Sequence, residues 1–498
     1  MARAGSNELG RAARGGAVTL VGSLCSAIFG FAFSILLAQK IGAHGAGVVL
    51  QAVGTFVIIM ALVKLGLDTT SIWMLPPMVR NEPEQVRMAL VGILVPAAAV
   101  PLVVSCAWFA WRIVGGYGAH GPVADAITVM AVFLPFASVM TVALAATRAF
   151  GGVVPFNAIG NVLVPGLRPV LLLVVVALGG GTIAATTSYS LPVLVGMVCA
   201  LVTLLAGVHR VTRSQPHAGW VPDRPLMRRI MAYSLPRTLM SGLEQTVIWI
   251  DVVLVGVILG STQAGIYGSA SRFVSAGVVV LTALRIVVAP RFSALLAAER
   301  RTEVEELYAV TARWILLFGA PIYLLLAVFA PTVLSWLGKD FHDGASSLVI
   351  LSLGSIVVLA AGNIQSLLLM SGRSGLGAFN KMIVVAFNVT SNFVLIPLIG
   401  IEGAAISWAG AMVLDTSLAA YQVRRATGIA LAPQEVGMTV MWVAVCVAGP
   451  SLLIAEVFGQ GTVQMIAAAL VSGLVLLGYC TMDRTRLRMD ELIRMGRG

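Results

Sequence analysis

Fourteen runs of about twenty mostly apolar residues recur along this chain, at 17–38, 46–67, 88–110, 123–147, 158–179, 186–207, 235–259, 265–289, 314–336, 346–370, 379–399, 402–423, 438–457 and 462–481. A run of that length crosses the hydrocarbon core of a bilayer as one helix. Only helices and closed barrels satisfy every backbone polar group there. This feature restricts the chain to an all-α polytopic membrane protein of about fourteen spans. Charge agrees with it: 11% of the 498 residues are charged, against roughly 25% in soluble proteins. The first run has the look of a signal peptide, but its counterpart later in the chain marks it as a span.

The basic residues set the orientation. With both termini in the cytoplasm, 24 of the 32 Lys+Arg residues fall in cytoplasmic segments, three (Lys40, Arg112, Lys339) fall outside, and five lie within spans. That bias follows the positive-inside rule. It also accounts for the net charge of +11 as topology signals facing anionic inner-leaflet lipids, so no nucleic-acid partner is needed. The outside loops are short and leave no room for a catalytic domain. Glu299–Trp314 reads as a cytoplasmic amphipathic helix leading into the ninth span, and the tail from Asp483 is basic.

The chain repeats itself. IGAHGAG (Ile41–Gly47) matches LGSTQAG (Leu259–Gly265) at an offset of 218, PFN (Pro155–Asn157) matches AFN (Ala378–Asn380) at 223, and LGGGTIAA (Leu178–Ala185) matches LIGIEGAA (Leu398–Ala405) at 220. An offset of six spans gives halves of the same orientation, related by an axis along the membrane normal. The expected division is a six-helix bundle at 1–208, a basic connector at 209–230, a second six-helix bundle at 231–425, and two extra helices with a tail at 426–498.

The seventh run carries three charges at seven-residue steps, Arg237, Glu244 and Asp251. Such steps drift only about 20° around a helix, so the three lie on one face. Charges are costly at a bilayer centre and mark function by default. In the fifth run Arg168 sits between Pro165 and Pro169, and Pro169 cannot donate to the carbonyl four residues back, so a bend or break is expected there. At an offset of 223 these prolines correspond to Asn388 and Asn392.

With its arrangement of six, six and two spans, the IGAHGAG turn and its counterpart, and the LGLD close of the second span (Leu65–Asp68), the chain resembles polysaccharide flippases of the Wzx type, in the multidrug/oligosaccharidyl-lipid/polysaccharide exporter superfamily. The resemblance implies two six-helix bundles with a cavity between them and alternating access. It implies an anionic lipid-linked oligosaccharide as cargo, with undecaprenyl pyrophosphate as its usual carrier, flipped across a bacterial inner membrane. Polysaccharide polymerase or glycosyltransferase machinery is the expected partner. The lipid II flippases of the same superfamily fit less well, because the first span reads AIFGFAFSILLAQ without their arginine-rich opening.

A sugar pyrophosphate calls for basic side chains with strong donors. Embedded bases (Lys64, Arg168, Arg237, Arg272, Arg285) outnumber embedded acids (Glu244, Asp251, Asp415), a surplus of +2 that suits an anion. Arg168, Arg237, Arg272, Asp251 and Arg148 are the substrate-binding candidates. Asp251 and Arg272 fall at one depth and either pair structurally or pair while lining the cavity. Arg237 either lines it or snorkels to the interface. Glu244 is the candidate for ion coupling, since burial would favour its protonated form. Lys64 and Asp68 read as a local i, i+4 pair, Asp415 as facing the bundle or pairing locally, Arg285 as snorkelling, and Arg148 and Arg373 as topology signals or a phosphate-greeting mouth.

Two other functions remain open: a multidrug or cation-coupled exporter of the same architecture, and a membrane polysaccharide polymerase or ligase. The exporter would lean on acids, and the polymerase would need a long exposed loop. No nucleotide-binding or hydrolase motif occurs, so the chain is read as a non-enzyme with no catalytic residues and no cofactor. The five cysteines lie in apolar runs without a CxxC pair, and the five histidines are scattered, so neither disulfide nor metal site is expected.

Overall fold

The structure, a computed structural model, describes residues 2–115, 118, 120–213, 219–370, 374–428 and 433–483; the side chains of 2–14, 17, 275–287, 289, 290, 374, 426, 427 and 433 fall outside that description. Arg285, Arg373 and the basic tail therefore lie outside the described residues. Among those described, the secondary structure is helical throughout. The helices are α1 (Ala2–Val63), α2 (Leu67–Asn81), α3 (Val86–Val114), α4 (Pro122–Thr147), α5 (Val153–Asn157), α6 (Val164–Ala177), α7 (Thr182–Ser190), α8 (Pro192–Thr212) and α9 (Arg224–Leu259). They continue as α10 (Ser261–Ala297), α11 (Arg301–Val328), α12 (Ala330–Ser335), α13 (Ala345–Ala360), α14 (Ile364–Met370), α15 (Ser374–Ile399), α16 (Ile401–Thr427), α17 (Pro433–Phe458) and α18 (Thr462–Met482).

Eleven helical segments among the described residues are long and apolar enough to cross a membrane. Their outward faces are apolar: on α18, Ile466, Leu470, Leu474 and Leu477 are exposed, while Ala468 and Ser472 are buried. An apolar face turned outward and small residues turned inward is the pattern of a lipid-facing helix. The protein is an all-α, multi-pass membrane protein.

The chain forms two compact units, Met1–Gly265 and Ile266–Gly498. In the first, α4 packs against α1, α3 and α8, and α9 lies along α1. Its buried core joins Leu67, Met74, Leu75 and Met78 of α2 to Ile93, Val142, Leu204 and Ile230. Residues 68–87 fall between the second and third apolar runs. Leu67, Met74, Leu75 and Met78 in fact recur at helical spacing and bury one face of α2. In the second unit α11 is flanked by α13 and α17, and α15–α16 and α17–α18 form antiparallel hairpins.

The structure refines four local expectations. No break occurs at Pro169, which lies inside continuous α6; the irregularity is a π-helical turn at Ala158–Leu163, about two to three turns earlier. Glu299–Trp314 leads into the ninth span as one helix: from Arg301 it forms the start of α11, with Val304 and all of Tyr308–Leu317 buried. The tenth run is interrupted between α13 and α14 at Gly362 (φ 56°), where the Tyr308 hydroxyl donates to the Ala361 carbonyl at 2.8 Å. Arg313, near the end of that expected amphipathic helix, is buried and paired with Glu435 at 3.0 Å.

The repeated turns share a conformation. Gly42 (φ 76°, ψ 174°) breaks α1, and Gly260 (φ 93°, ψ 167°) separates α9 from α10. Both occupy a region open essentially to glycine alone. A Cβ on Gly47 would collide with the Ser261 carbonyl, and one on Gly265 with the Ala43 carbonyl. His44 Nδ1 lies 3.4 Å from Thr262 Oγ1, its own counterpart 218 positions on. Gln51 Nε2 donates to the Gly47 carbonyl at 3.1 Å and to Ser261 Oγ at 2.9 Å. All these residues lie in the first unit, so the two copies of the motif dock backbone to backbone about a local two-fold.

Candidate functional site

The Asp223 side chain accepts from the Leu226 N–H at 2.9 Å and caps α9, with Pro225 in the first turn. The helix has 36 residues, about 54 Å at 1.5 Å per residue, well beyond a hydrocarbon core of about 30 Å. Gly242 faces Leu62, Gly54 faces Trp249 and Val253, and Gly256 faces Gln51. Positions 242, 249 and 256 thus seat α9 on α1. Glu244 and Asp251 lie two residues further on, about 200° around the helix, and so point away from α1. Asp251 is buried at 2% exposure, whereas Arg237 and Glu244 are exposed. The burial expected of Glu244 is not found, although Asp251, seven residues along the same face, is buried.

At its basic end α9 builds an arrangement the sequence reading missed. The Tyr233 ring stacks on Trp73 of α2, centroids 4.2 Å apart and planes 8° from parallel. The Arg229 guanidinium lies 6.0 Å from the Trp73 ring and that of Arg237 lies 5.6 Å from Tyr233. Arg237 also reaches the Tyr233 hydroxyl at 3.5 Å. Arg229, Tyr233 and Arg237 are spaced i, i+4, i+8, which the sequence displays; that Trp73 completes the stack is a matter of tertiary packing.

The other candidates are placed as follows. Arg168 donates from Nε to the Tyr189 carbonyl in the last turn of α7, at 3.2 Å, and its guanidinium lies 3.8 Å over the Tyr189 ring. A helix C-terminus favours such a cation, so Arg168 is held within the first unit. Arg148 lies 3.8 Å over Phe156, and its Nε is buried without a hydrogen-bond partner. Lys64 and Asp68 form the expected pair at 2.7 Å. Arg272 is half-buried on α10.

In the second unit Asp415 accepts from Lys381 Nζ at 2.7 Å and from Gln365 Nε2 at 3.0 Å. Lys381, counted by sequence among the cytoplasmic basic residues, lies on α15, so Asp415 finds its partner on that neighbouring helix rather than along its own. On the same two helices Asn380 and Gln422 exchange two amide hydrogen bonds of 2.9 and 2.7 Å. Asn157, the counterpart of Asn380 at the offset of 223, is also buried and donates across to Thr19 on α1 at 3.3 Å. Asn388 is fully buried, and its side-chain amide has no protein partner. Among the described residues no group of three His, Cys, Asp or Glu lies close enough to hold a metal.

Residues 12–296 match the family described as polysaccharide biosynthesis protein. The probable low-salt glycan biosynthesis flippase Agl15 of Haloferax volcanii is 23% identical over 266 residues, 52% of this chain and 55% of that one. The match thus spans about half the length of that relative. Among solved structures, the lipid II flippase MurJ in an inward closed conformation superposes with a TM-score of 0.72 at 12% identity, covering 94% of this chain and 99% of that one. An inward-facing multidrug resistance transporter of the MATE family, in the MOP superfamily, gives 0.66 at 16% identity over 83% and 98%. At such identities the likeness is one of fold.

Proposed function

Because the chain belongs to the polysaccharide biosynthesis protein family, we propose that it is a flippase and not an enzyme. Its cargo is an anionic lipid-linked oligosaccharide of the polyprenyl-pyrophosphate type. It moves this from the inner to the outer leaflet of a bacterial inner membrane by alternating access, for cell-surface polysaccharide synthesis. Family membership carries this reading, and the flippase among its relatives supports it. Polymerase or glycosyltransferase machinery is the proposed partner, and anionic lipids surround its basic face.

We read the chain as fourteen spans with both termini in the cytoplasm. The break at Gly42 supports two spans within α1, and α10 and α16 cover the eighth and twelfth. The positive-inside bias supports the orientation, and the shared glycine conformations support a duplicated chain divided at 1–208, 209–230, 231–425 and 426–498. Arg237, Asp251, Arg272, Arg168 and Arg148 are the proposed cargo residues, and Glu244 the proposed coupling residue.

The test is native mass spectrometry of the purified protein with its co-purifying lipids, R168A and R272A alongside. A polyprenyl-pyrophosphate glycan on wild type that is lost from either variant is the expected result. Absence of any such lipid with retention of a cationic drug would replace this reading with that of a multidrug exporter.

A further inference from the structure

The first turns of α9 carry Arg224, Arg228 and Arg229, which with Pro225 and Ala232 border a shallow, open stretch of surface. All three arginines are exposed. Among the described residues none of them, nor Arg237, is ion-paired with a carboxylate. Surface arginines that serve only solubility are free to wave in water. Here the Arg229 guanidinium stands 6.0 Å from the Trp73 ring and that of Arg237 5.6 Å from Tyr233, beside the Trp73–Tyr233 stack. A guanidinium drawn to a ring keeps its N–H edge for an anion. The aromatic rings stack on each other, so the N–H edges are the groups on offer, and the chemistry they suit is phosphate rather than sugar.

The spacing narrows the ligand. Three guanidinium groups gather within the first six residues of α9, about 8 Å of helix axis. A lone phosphodiester carries one negative charge and is satisfied by one bidentate arginine. Three together match two adjacent phosphates. Arg237 lies eight residues beyond Arg229, about 12 Å along the axis, toward Glu244. With the start of α9 on the cytoplasmic side, as proposed above, these arginines stand at the boundary between headgroups and water.

We propose that Arg224, Arg228 and Arg229 form a docking site for the diphosphate of the lipid carrier at the cytoplasmic boundary, and that the Trp73–Tyr233 stack positions Arg237 to receive that group next. This rests on the flippase reading above.

The test uses the full-length protein in nanodiscs of neutral phosphatidylcholine, with farnesyl diphosphate as the probe and calorimetry as the readout. Wild type should bind it, and farnesol should not compete. R228A/R229A should weaken binding by about tenfold or more. R228K/R229K, which keeps the charge and loses the fork, should fall between the two. W73A should weaken binding less than R228A/R229A does, and W73F should restore it. Unchanged binding in a folded R228A/R229A, or equal competition by phosphatidylglycerol, would overturn the docking site. So would wild type that fails to bind the probe. Transbilayer movement of a lipid-linked glycan in proteoliposomes, measured in parallel, separates the two ideas: movement without the docking site leaves the flippase reading standing, and no movement removes both.

Discussion

Lys381 and Asp415 show most plainly what a charge inside a helical membrane protein does. Their side chains are 21% and 9% exposed, so each is largely withdrawn from solvent and depends on the other. Removing one partner strands a charge, at a cost of about 3–5 kcal/mol, whereas replacing both with apolar residues of similar size is close to neutral. K381M and D415L alone should each lower the melting temperature in detergent strongly, and the double variant should recover most of the loss. If transport nevertheless fails in the stable double variant, the pair serves transport as well as packing. Asn388 gives a complementary case: its amide is buried without a protein partner, so N388L should keep or gain stability, read by the same melt. Gly47 and Gly265 are constrained by close approach. A side chain at either would press on the opposing backbone, and G47V or G265V should destabilise by about 1–3 kcal/mol or more.

The helices themselves depart from the apolar runs wherever a glycine or a polar cluster intervenes. The breaks at Gly42 and Gly260 place two copies of one motif in one backbone conformation. G42A and G260A should each cost about 1–3 kcal/mol, and the costs should fail to add, because the motifs touch; thermal melts of the two single variants and the double variant check both statements. The seven-residue stripe on α9 was legible in the sequence, since charge spacing on a helix is a local property. The burial of each member was not, because it depends on which face α1 covers. Likewise α2 was hidden by Pro76 and Pro77, which lie inside it, and its amphipathic spacing was the signal that could have revealed it.

For the molecule as a whole, the orientation reading makes a direct claim. Asp340 and Ala298 are both exposed and should lie on opposite sides of the membrane. In a cysteine-free background, D340C should react with an impermeant maleimide added to intact cells, and A298C should react only after lysis; the reverse labelling would invert the topology. The length of each apolar run and the sidedness of its flanking charges add up residue by residue along the chain. The spanning helices, the repeat and the family resemblance were therefore readable without coordinates. Which polar groups meet was not, because the partners lie far apart in the chain: Gln51 finds Ser261 at a separation of 210 residues, and Lys381 finds Asp415 at 34. Those pairings follow from the register in which helices pack. Register is set by the fit of small residues such as Gly54, Gly242 and Gly256 against the side chains opposite them, and no local periodicity encodes it.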